Sequence, residues 1–196
     1  VLLEDIYQPH NASAVLRSCD SCGVQDVHIL EKRNSYRVNP GVELGSAQWL
    51  TLRKYGGGAK ATGEAVETLR ASGYRIVATT PHTDDVTLTD FDLSPGKVAL
   101  CFGTEMEGLS EELLAEADEF LKIPMYGFVE SFNISVSAAI ILYTLTQRLR
   151  SGDRRSWALS AAEARELRLH WLRVSVKESE VLERRFMEER GEAGGG

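Results

Sequence analysis

The chain has 196 residues, is 43% hydrophobic and 26% charged, and carries a formal net charge of −7. These values are typical of one globular domain with an appended element, and no apolar run approaches the roughly 20 residues of a membrane-spanning helix. An odd number of cysteines, three, argues against a disulfide framework and predicts a reducing, cytoplasmic compartment. The chain begins at Val1 without methionine, so we expect that a preceding segment is missing.

Apolar runs that resemble buried strands alternate along the chain with segments of helical periodicity. The predicted strands span residues 1–7, 24–30, 49–52, 74–80, 97–103 and 120–125. The predicted helices span residues 11–22, 60–72, 110–117 and 132–149, with a short helix at 42–48. This alternation predicts an α/β fold, a mostly parallel sheet with helices on both faces. Ligands of such sheets bind beyond the carboxyl ends of the strands.

The sequence changes character after Arg150, where Ser151-Gly152-Asp153 ends the last core helix. Beyond it, apolar residues recur at helical spacing among balanced charges, which predicts one long helix or two. We therefore divide the chain into a core domain, residues 1–150, and a C-terminal helical extension, residues 151–196. We expect the glycine-rich tail of the extension to be disordered.

Charge is segregated along the chain. Residues 31–60 carry six basic and two acidic side chains, whereas residues 105–119 carry seven acidic side chains and no basic one. The basic segment is either a face that binds nucleic-acid phosphates or an ordinary solvated surface, and charge alone leaves both interpretations open.

The first candidate site lies at the start of the first predicted helix. Asn11 follows Pro9 and is placed as the N-cap, and Asn11, Ala14 and Arg17 lie within one arc of the helix surface. The small Ala14 leaves space between an amide and a guanidinium, which suits a phosphate or a ribose. The alternative is a capped helix with an exposed arginine.

The second candidate site is the turn between a predicted strand and a helix capped by Ser110. It holds two glycines, Gly103 and Gly108, which allow backbone to approach a ligand closely or to adopt positive φ. The spacing matches neither the dinucleotide fingerprint nor a P-loop. Because the turn is acidic, a neutral or cationic ligand with a ribose fits better than a triphosphate. An ordinary strand-to-helix turn is the alternative.

The third candidate site is the entrance of the last core helix, where Ser131, Asn133, Ser135 and Ser137 occupy alternate positions. Such side chains cap a helix by accepting hydrogen bonds from the first N–H groups of that helix. Four in seven positions exceed what capping needs, so this entrance also predicts contact with a polar ligand.

The three segments, in this order and spacing, resemble the three motifs of the SpoU-type RNA ribose 2′-O-methyltransferases of the SPOUT superfamily, and most closely its TrmH branch. The matching stretches are Asn11-Ala12-Ser13-Ala14-Val15-Leu16-Arg17, Phe102-Gly103-Thr104-Glu105 with Gly108-Leu109-Ser110, and Ile123-Pro124-Met125 with Ser131-Phe132-Asn133-Ile134-Ser135. The resemblance implies S-adenosylmethionine as cofactor, RNA as substrate, a guanosine of tRNA in particular, a homodimer and a deep trefoil knot. It covers residues 1–149 and does not extend to the C-terminal helices.

The resemblance also assigns roles to individual residues. No metal is expected, because no metal-ligand spacing connects the four histidines and no second CxxC offers zinc ligands. The residues expected to line the cofactor pocket, with backbone and side-chain groups, are Thr79, Gly103, Ile123, Met125 and Phe132. The catalytic polar positions are expected to be Asn11, Arg17, Glu105, Ser131 and Asn133. Phe132 replaces the leucine more usual at its position but keeps a large apolar side chain.

Three other interpretations remain open at this level. The substrate is ribosomal RNA instead of tRNA, or the chain is a non-catalytic RNA-binding relative, which would be expected to lose Arg17 or Asn133. A redox enzyme built on the Cys19-Asp20-Ser21-Cys22 stretch is the third. Against it, the two cysteines lie late in a helix, where small buried cysteines are common.

Overall fold

The computed structural model describes residues 1–56, 58, 60–81, 86–104, 106–153 and 157–193. Strands and helices alternate along the core, as the periodicity predicts. In chain order the elements are β1 (Leu2–Glu4), α1 (Pro9–Cys22), β2 (Asp26–Glu31), α2 (Pro40–Glu43), a 3-10 turn (Ser46–Trp49), β3 (Thr51–Gly56), α3 (Lys60–Ala71), β4 (Tyr74–Thr79), β5 (Val86–Thr87), β6 (Lys97–Phe102), α4 (Glu111–Ala115), β7 (Glu119–Lys122), α5 (Ile134–Ser151), α6 (Ala161–Ser175) and α7 (Ser179–Ala193).

The strands form one parallel sheet in the order β3-β2-β1-β6-β4-β7-β5. The chain first builds one half of the sheet outward from β1 and then crosses to build the other half. The later strand β6 inserts between β1 and β4, so the carboxyl ends of β4, β6 and β7 are close neighbours. The predicted α/β class with a parallel sheet is confirmed, and the trefoil knot stays a prediction.

Alternate residues of the strands face two separate cores. On one face, Leu3, Ile29, Val77 and Phe102 pack with apolar residues of α1 and α5. On the other face, Leu2, Ile76 and Cys101 of the strands pack with Ala65 of α3 and Leu113 of α4. Both faces of a parallel sheet must be covered because its strands are apolar on both sides.

The strand predicted over residues 1–7 is shortened to β1, and three further element predictions differ from the structure. The predicted strand 49–52 is displaced to β3, because an edge strand tolerates exposed Arg53 and Lys54, which an apolar run does not reveal. The predicted helix 42–48 is two shorter elements, α2 and the 3-10 turn, separated at Leu44, whose backbone is left-handed with φ of 52°. The two-residue strand β5 was not predicted, since it is too short for a periodicity to appear.

The chain consists of two compact units, Val1–Ser156 and Trp157–Gly196. The second unit contains α6 and α7, so two helices form where the sequence allowed one or two. Ser160 and Glu163 form a capping box at the start of α6, and Arg173 on α6 forms an ion pair with Glu183 on α7. The division at residue 150 stays a prediction. Of the tail predicted at residues 191–196, residues 191–193 belong to α7, and residues 194–196 lie outside the described residues. Among the described helices, none is long and apolar enough to cross a membrane.

Candidate functional site

A cavity of about 290 Å³ lies at the carboxyl ends of β4, β6 and β7. This is the edge of the sheet at which parallel α/β folds bind ligands. Its walls come from the ends of those strands, from the β6–α4 turn, and from the entrance and first turns of α5. The lining residues are Thr79, Thr80, Pro81, Phe102, Gly103, Thr104, Met106, Glu107, Gly108, Leu121, Ile123, Met125, Glu130, Ser131, Phe132, Ile134, Ser137 and Ile141.

The structure brings all five predicted cofactor positions together in this cavity. They are Thr79, Gly103, Ile123, Met125 and Phe132. The hydroxyl of Thr79 donates to the carbonyl oxygen of Cys101 at 2.7 Å, so this side chain ties β4 to the neighbouring β6. Ile123 and Met125 follow β7 and are partly exposed, and Phe132 is 42% exposed. The aromatic ring of Phe132 therefore forms part of the cavity wall and remains accessible to a ligand.

The turn after β6 approaches itself so closely that only glycine fits at position 103. A Cβ atom on Gly103 would lie 2.1 Å from the carbonyl carbon and oxygen of Gly108 and 2.4 Å from the nitrogen of Leu109. The approach is fixed by two backbone hydrogen bonds, Thr104 N–H to Gly108 O at 2.9 Å and Gly108 N–H to Thr104 O at 3.0 Å. Gly108 adopts φ of 70°, so the turn forms the compact cradle that the two glycines predict.

The cavity wall is acidic. Its charged residues in the described part of the chain are Glu107 and Glu130, and no described lysine or arginine lines it. A hydrogen bond and charge attraction from the Arg33 guanidinium lower the pKa of Glu107, which therefore stays ionised at neutral pH. This wall favours a cationic ligand and opposes a phosphate-rich one.

Asn11 and Asn133 meet beside the cavity. The amide of Asn133 donates to the side-chain oxygen of Asn11 at 3.2 Å. Asn133 is also the N-cap of α5, since its side chain accepts from the N–H of Ser135 at 2.9 Å. At the far ends of the two helices, Arg150 donates to the carbonyl of Cys22 at 2.6 Å. Therefore α1 and α5 run side by side in the same direction, and their N-termini are joined by the two asparagines.

The predicted N-cap role of Asn11 is wrong. The N-cap of α1 is Gln8, and Pro9 is the first helical residue. Proline is favoured at that position because it needs no N–H partner and its φ is already helical. Asn11 therefore lies within the first turn and is buried at 4% exposure, which allows its side chain to reach Asn133.

The remaining predicted catalytic residues occupy different surroundings. Ser131 lines the cavity. Arg17 is exposed on α1 and does not belong to the described residues that line the cavity. Glu105 lies outside the described residues. Within a single chain the cavity thus gathers Ser131 and the cofactor positions but not Arg17.

The predicted site residues leave out five polar residues of the cavity wall, although Ser137 was already noted in the polar entrance of the last core helix. The five are Thr80, Thr104, Glu107, Glu130 and Ser137. Ile134, Ser137 and Ile141 lie at i, i+3 and i+7 on α5 and so share one face of the helix. That spacing was a usable signal for Ser137. Thr80 directly follows the predicted cofactor position Thr79, whereas nothing in its surroundings distinguished Glu130.

The CxxC stretch behaves as part of the core. Cys19 and Cys22 are free and buried, and burial raises the pKa of Cys19 to about 11. A thiol with so high a pKa is not a nucleophile at neutral pH. No group of three potential ligands for a metal ion occurs among the described residues.

Comparison with known proteins matches the chain to one family. A model of the SpoU rRNA Methylase family matches residues 1–143. The chain is 44% identical to the tRNA (guanosine(18)-2′-O)-methyltransferase of Borreliella burgdorferi, over 93% of this chain and 81% of the relative. It is 39% identical to the enzyme of the same name from Thermus thermophilus, over 78% of this chain and 76% of the relative.

Solved structures show the same fold. The A. aeolicus TrmH/SpoU tRNA modifying enzyme superposes with a TM-score of 0.75 at 29% identity, covering 90% of this chain and 88% of that chain. The SpoU methyltransferase AviRb from Streptomyces viridochromogenes, solved in complex with AdoMet, superposes with a TM-score of 0.66 at 26% identity, covering 77% of this chain and 60% of that chain.

Proposed function

The chain belongs to the SpoU rRNA Methylase family, and from this membership we propose that it methylates the ribose 2′-hydroxyl of a tRNA guanosine, with S-adenosylmethionine as methyl donor. The observation that carries the proposal is the cavity at the ends of β4, β6 and β7, which gathers all five predicted cofactor positions. Relatives at 44% and 34% identity are named for guanosine 18 of tRNA, so that nucleotide is the proposed target.

The cavity fits the cofactor in size and charge. Its volume of about 290 Å³ is close to the lower end of small-molecule pockets, roughly 300–1,000 Å³. S-adenosylmethionine carries a net positive charge, which the carboxylates of Glu107 and Glu130 complement. The compact turn at Gly103 places backbone groups directly at the wall. When bound, the cofactor supplies an electrophilic methyl group on its sulfonium sulfur.

The polar residues of the three motifs would position the ribose and balance its charge. The 2′-hydroxyl would lose its proton to solvent, so negative charge develops on the 2′-oxygen. That oxygen would bond to the methyl carbon as the bond from this carbon to the sulfonium sulfur breaks, with S-adenosylhomocysteine as the leaving group. A guanidinium remains protonated in proteins. We therefore assign Arg17 to binding the adjacent phosphate and stabilising the developing charge, not to accepting the proton.

The joined asparagines at the N-termini of α1 and α5 fit a substrate-positioning role. Holding the reacting oxygen in line with the methyl group supplies much of the rate of such a transfer. Asn11 and Asn133 offer amide groups next to the cavity, and Ser131 offers a hydroxyl on its wall. Glu105 is proposed as the fifth polar position of the catalytic set.

A homodimer is proposed as the active form. Val136 and Tyr143 lie at i and i+7 on α5 and are 43% and 63% exposed, and Phe132, just before the helix, is 42% exposed. The preceding loop adds Tyr126 and Phe128, at 96% and 108% exposure. Contiguous apolar surface of this kind is typical of an interface. A second copy packed on this face would bring further side chains to a cavity that Arg17 of the same chain does not line.

The dimer is tested by light scattering at micromolar concentration. We expect twice the mass of the chain, and we expect Val136→Glu, which places a charge on the apolar face, to shift the protein toward monomer and lower its activity. A wild-type monomer at that concentration would refute the shared site.

The activity is tested by transfer of a tritiated methyl group to bulk tRNA and, separately, to bulk ribosomal RNA, followed by nuclease mapping. We expect label in tRNA at the ribose of one guanosine. Label in ribosomal RNA alone would change the substrate assignment. Absence of ribose label, with a protein that binds the cofactor, would favour a non-catalytic RNA-binding relative.

A further inference from the structure

The connection between β2 and α2, residues 32–39, contacts the first two motifs at once. We call it the connector. Near its end, the hydroxyl of Tyr36 donates to the carbonyl of Ala12 on α1, and the N–H of Asn39 donates to the hydroxyl of Ser13 at 2.6 Å. Its first residues contact the carboxyl end of β1 and the β6–α4 turn. The connector therefore links the helix of the first motif to the turn that lines the cavity.

Asp5 anchors the beginning of the connector. Its side chain is 3% exposed and accepts the backbone N–H groups of Lys32, Arg33 and Asn34 at 3.2, 2.8 and 2.7 Å. Burial alone would raise the pKa of Asp5, but the hydrogen bonds from Asn34 and Arg33 outweigh it and hold the pKa below its usual value. A carboxylate with this many donors fixes the local backbone firmly.

Arg33 joins this anchor to the cavity wall. Its Nε donates to Oδ2 of Asp5 at 3.1 Å, and its two terminal nitrogens donate to the two carboxylate oxygens of Glu107. Glu107 lines the cavity, and its own N–H donates to the hydroxyl of Thr104 at 3.0 Å. The guanidinium thus spans from a buried carboxylate to a carboxylate of the wall.

A second tie holds the end of the same turn. Glu4, at 2% exposure, accepts the N–H and the hydroxyl of Ser110, both at 2.7 Å. Lys32 neutralises Glu4 at 2.9 Å and also pairs with Glu112 at 2.8 Å. The backbone of the turn is thus fixed at Ser110 and by the hydrogen bonds between Thr104 and Gly108, while the carboxylate of Glu107 is held by Arg33.

We propose that Arg33 is a positioning residue for the cofactor, acting through Glu107 on the wall of the cavity. The inference rests on the proposed function, since it takes S-adenosylmethionine as the ligand. Without the guanidinium, the side chain of Glu107 loses its tie to Asp5 and is no longer held in one position at the wall. We expect this loss of position to outweigh the negative charge that the wall gains when Glu107 is unpaired. The loss falls on cofactor binding and not on the transfer step itself.

The test compares Arg33→Ala and Arg33→Lys with Arg70→Ala. Arg70 forms a similar exposed pair with Glu116 at 2.7 Å, but neither residue lines the cavity, so it controls for the loss of a surface ion pair. We expect Arg33→Ala to raise the Kd for S-adenosylmethionine about 2- to 5-fold, the upper part of the range for an exposed ion pair. Lysine should restore part of the affinity, since it keeps the charge without the fork. Arg70→Ala should bind like wild type.

Two further readouts separate positioning from general damage. At saturating cofactor, kcat of Arg33→Ala should equal that of wild type, while KM for the cofactor rises with Kd. In a double-mutant cycle, Arg33→Ala should add little when Glu107→Gln is already present, because the two act through one contact.

The outcomes are distinct from those of the proposed function. If wild type binds no S-adenosylmethionine, the proposed function is wrong. If wild type binds it and Arg33→Ala binds equally well, or if the effects of Arg33→Ala and Glu107→Gln simply add, the positioning role alone is wrong. Calorimetric titration with S-adenosylmethionine measures the affinity of wild type and of every variant without RNA.

Discussion

Replacing Gly103 by alanine should deform the cavity with little change elsewhere. The added Cβ would lie 2.1 Å from the backbone of Gly108, whereas ordinary van der Waals contact begins at 3.4 Å. The backbone at position 103 and the backbone at Gly108 must therefore separate by more than about 1 Å. That movement disrupts the two hydrogen bonds between Thr104 and Gly108, each contributing about 1 kcal/mol. The resulting penalty of about 2 kcal/mol agrees with the usual cost of overpacking, about 1–3 kcal/mol.

The measurements for Gly103→Ala are cofactor affinity by calorimetric titration and stability by urea unfolding. Because the clash keeps the turn displaced, S-adenosylmethionine should bind without the backbone groups that the turn places at the wall. Loss of two hydrogen bonds of about 1 kcal/mol each corresponds to a Kd raised about 30-fold. Gly63→Ala is the matched control, because nothing lies within 4 Å of its new Cβ in α3, and alanine should stabilise that helix by about 0.5–1 kcal/mol. A Gly103→Ala protein with wild-type affinity would refute the role of this turn in shaping the cavity.

Three further predictions follow from the same contacts. Arg17→Ala should lower kcat about 10²- to 10³-fold, the cost of losing one group that stabilises developing charge. The melting temperature should not change, because Arg17 is exposed. Normal turnover in both Arg17→Ala and Arg17→Lys would exclude a catalytic role. Asn133→Ala should cost about 0.5–2 kcal/mol by removing the N-cap of α5, whereas Asn133→Ser should retain most of that stability in thermal unfolding. Burial, with nearby positive charge including Arg53, lowers the pKa of His28 to about 4. The unfolded chain, with a histidine pKa of about 6.5, therefore binds more protons below that pH. Stability should fall by about 3 kcal/mol as the pH drops from about 6.5 to about 4, and urea titrations of His28→Gln should lack this part of the fall.

The core elements were predictable because their signals are local. Alternating apolar runs and helical segments indicated the parallel sheet, and Ser110 was correctly predicted as the cap of α4, since its side chain accepts from Leu113. The start of α1 was misplaced because Asn11 and Pro9 are both favourable near a helix start. The proline determined the first residue, which placed the asparagine inside the helix, where its side-chain oxygen accepts from Asn133.

The ion-pair partners of the charged side chains were not predictable from the sequence, because they depend on which segments meet in the folded structure. The basic segment 31–60 and the acidic segment 105–119 are far apart in sequence, yet Lys32 and Arg33 pair with Glu112 and Glu107. Part of the basic segment is therefore devoted to carboxylates of the protein itself. No local pattern distinguishes a lysine that will meet a glutamate 80 residues later from one that will meet a phosphate.

The most direct test of the account uses two synthetic tRNA molecules that differ at one atom. One carries guanosine at position 18, the nucleotide for which the relatives are named, and the other carries 2′-deoxyguanosine there. With tritiated S-adenosylmethionine, we predict stoichiometric label in the first and none in the second. Equal label in both would contradict ribose methylation at that nucleotide. No label in either, from a protein that binds the cofactor, would contradict the proposed activity.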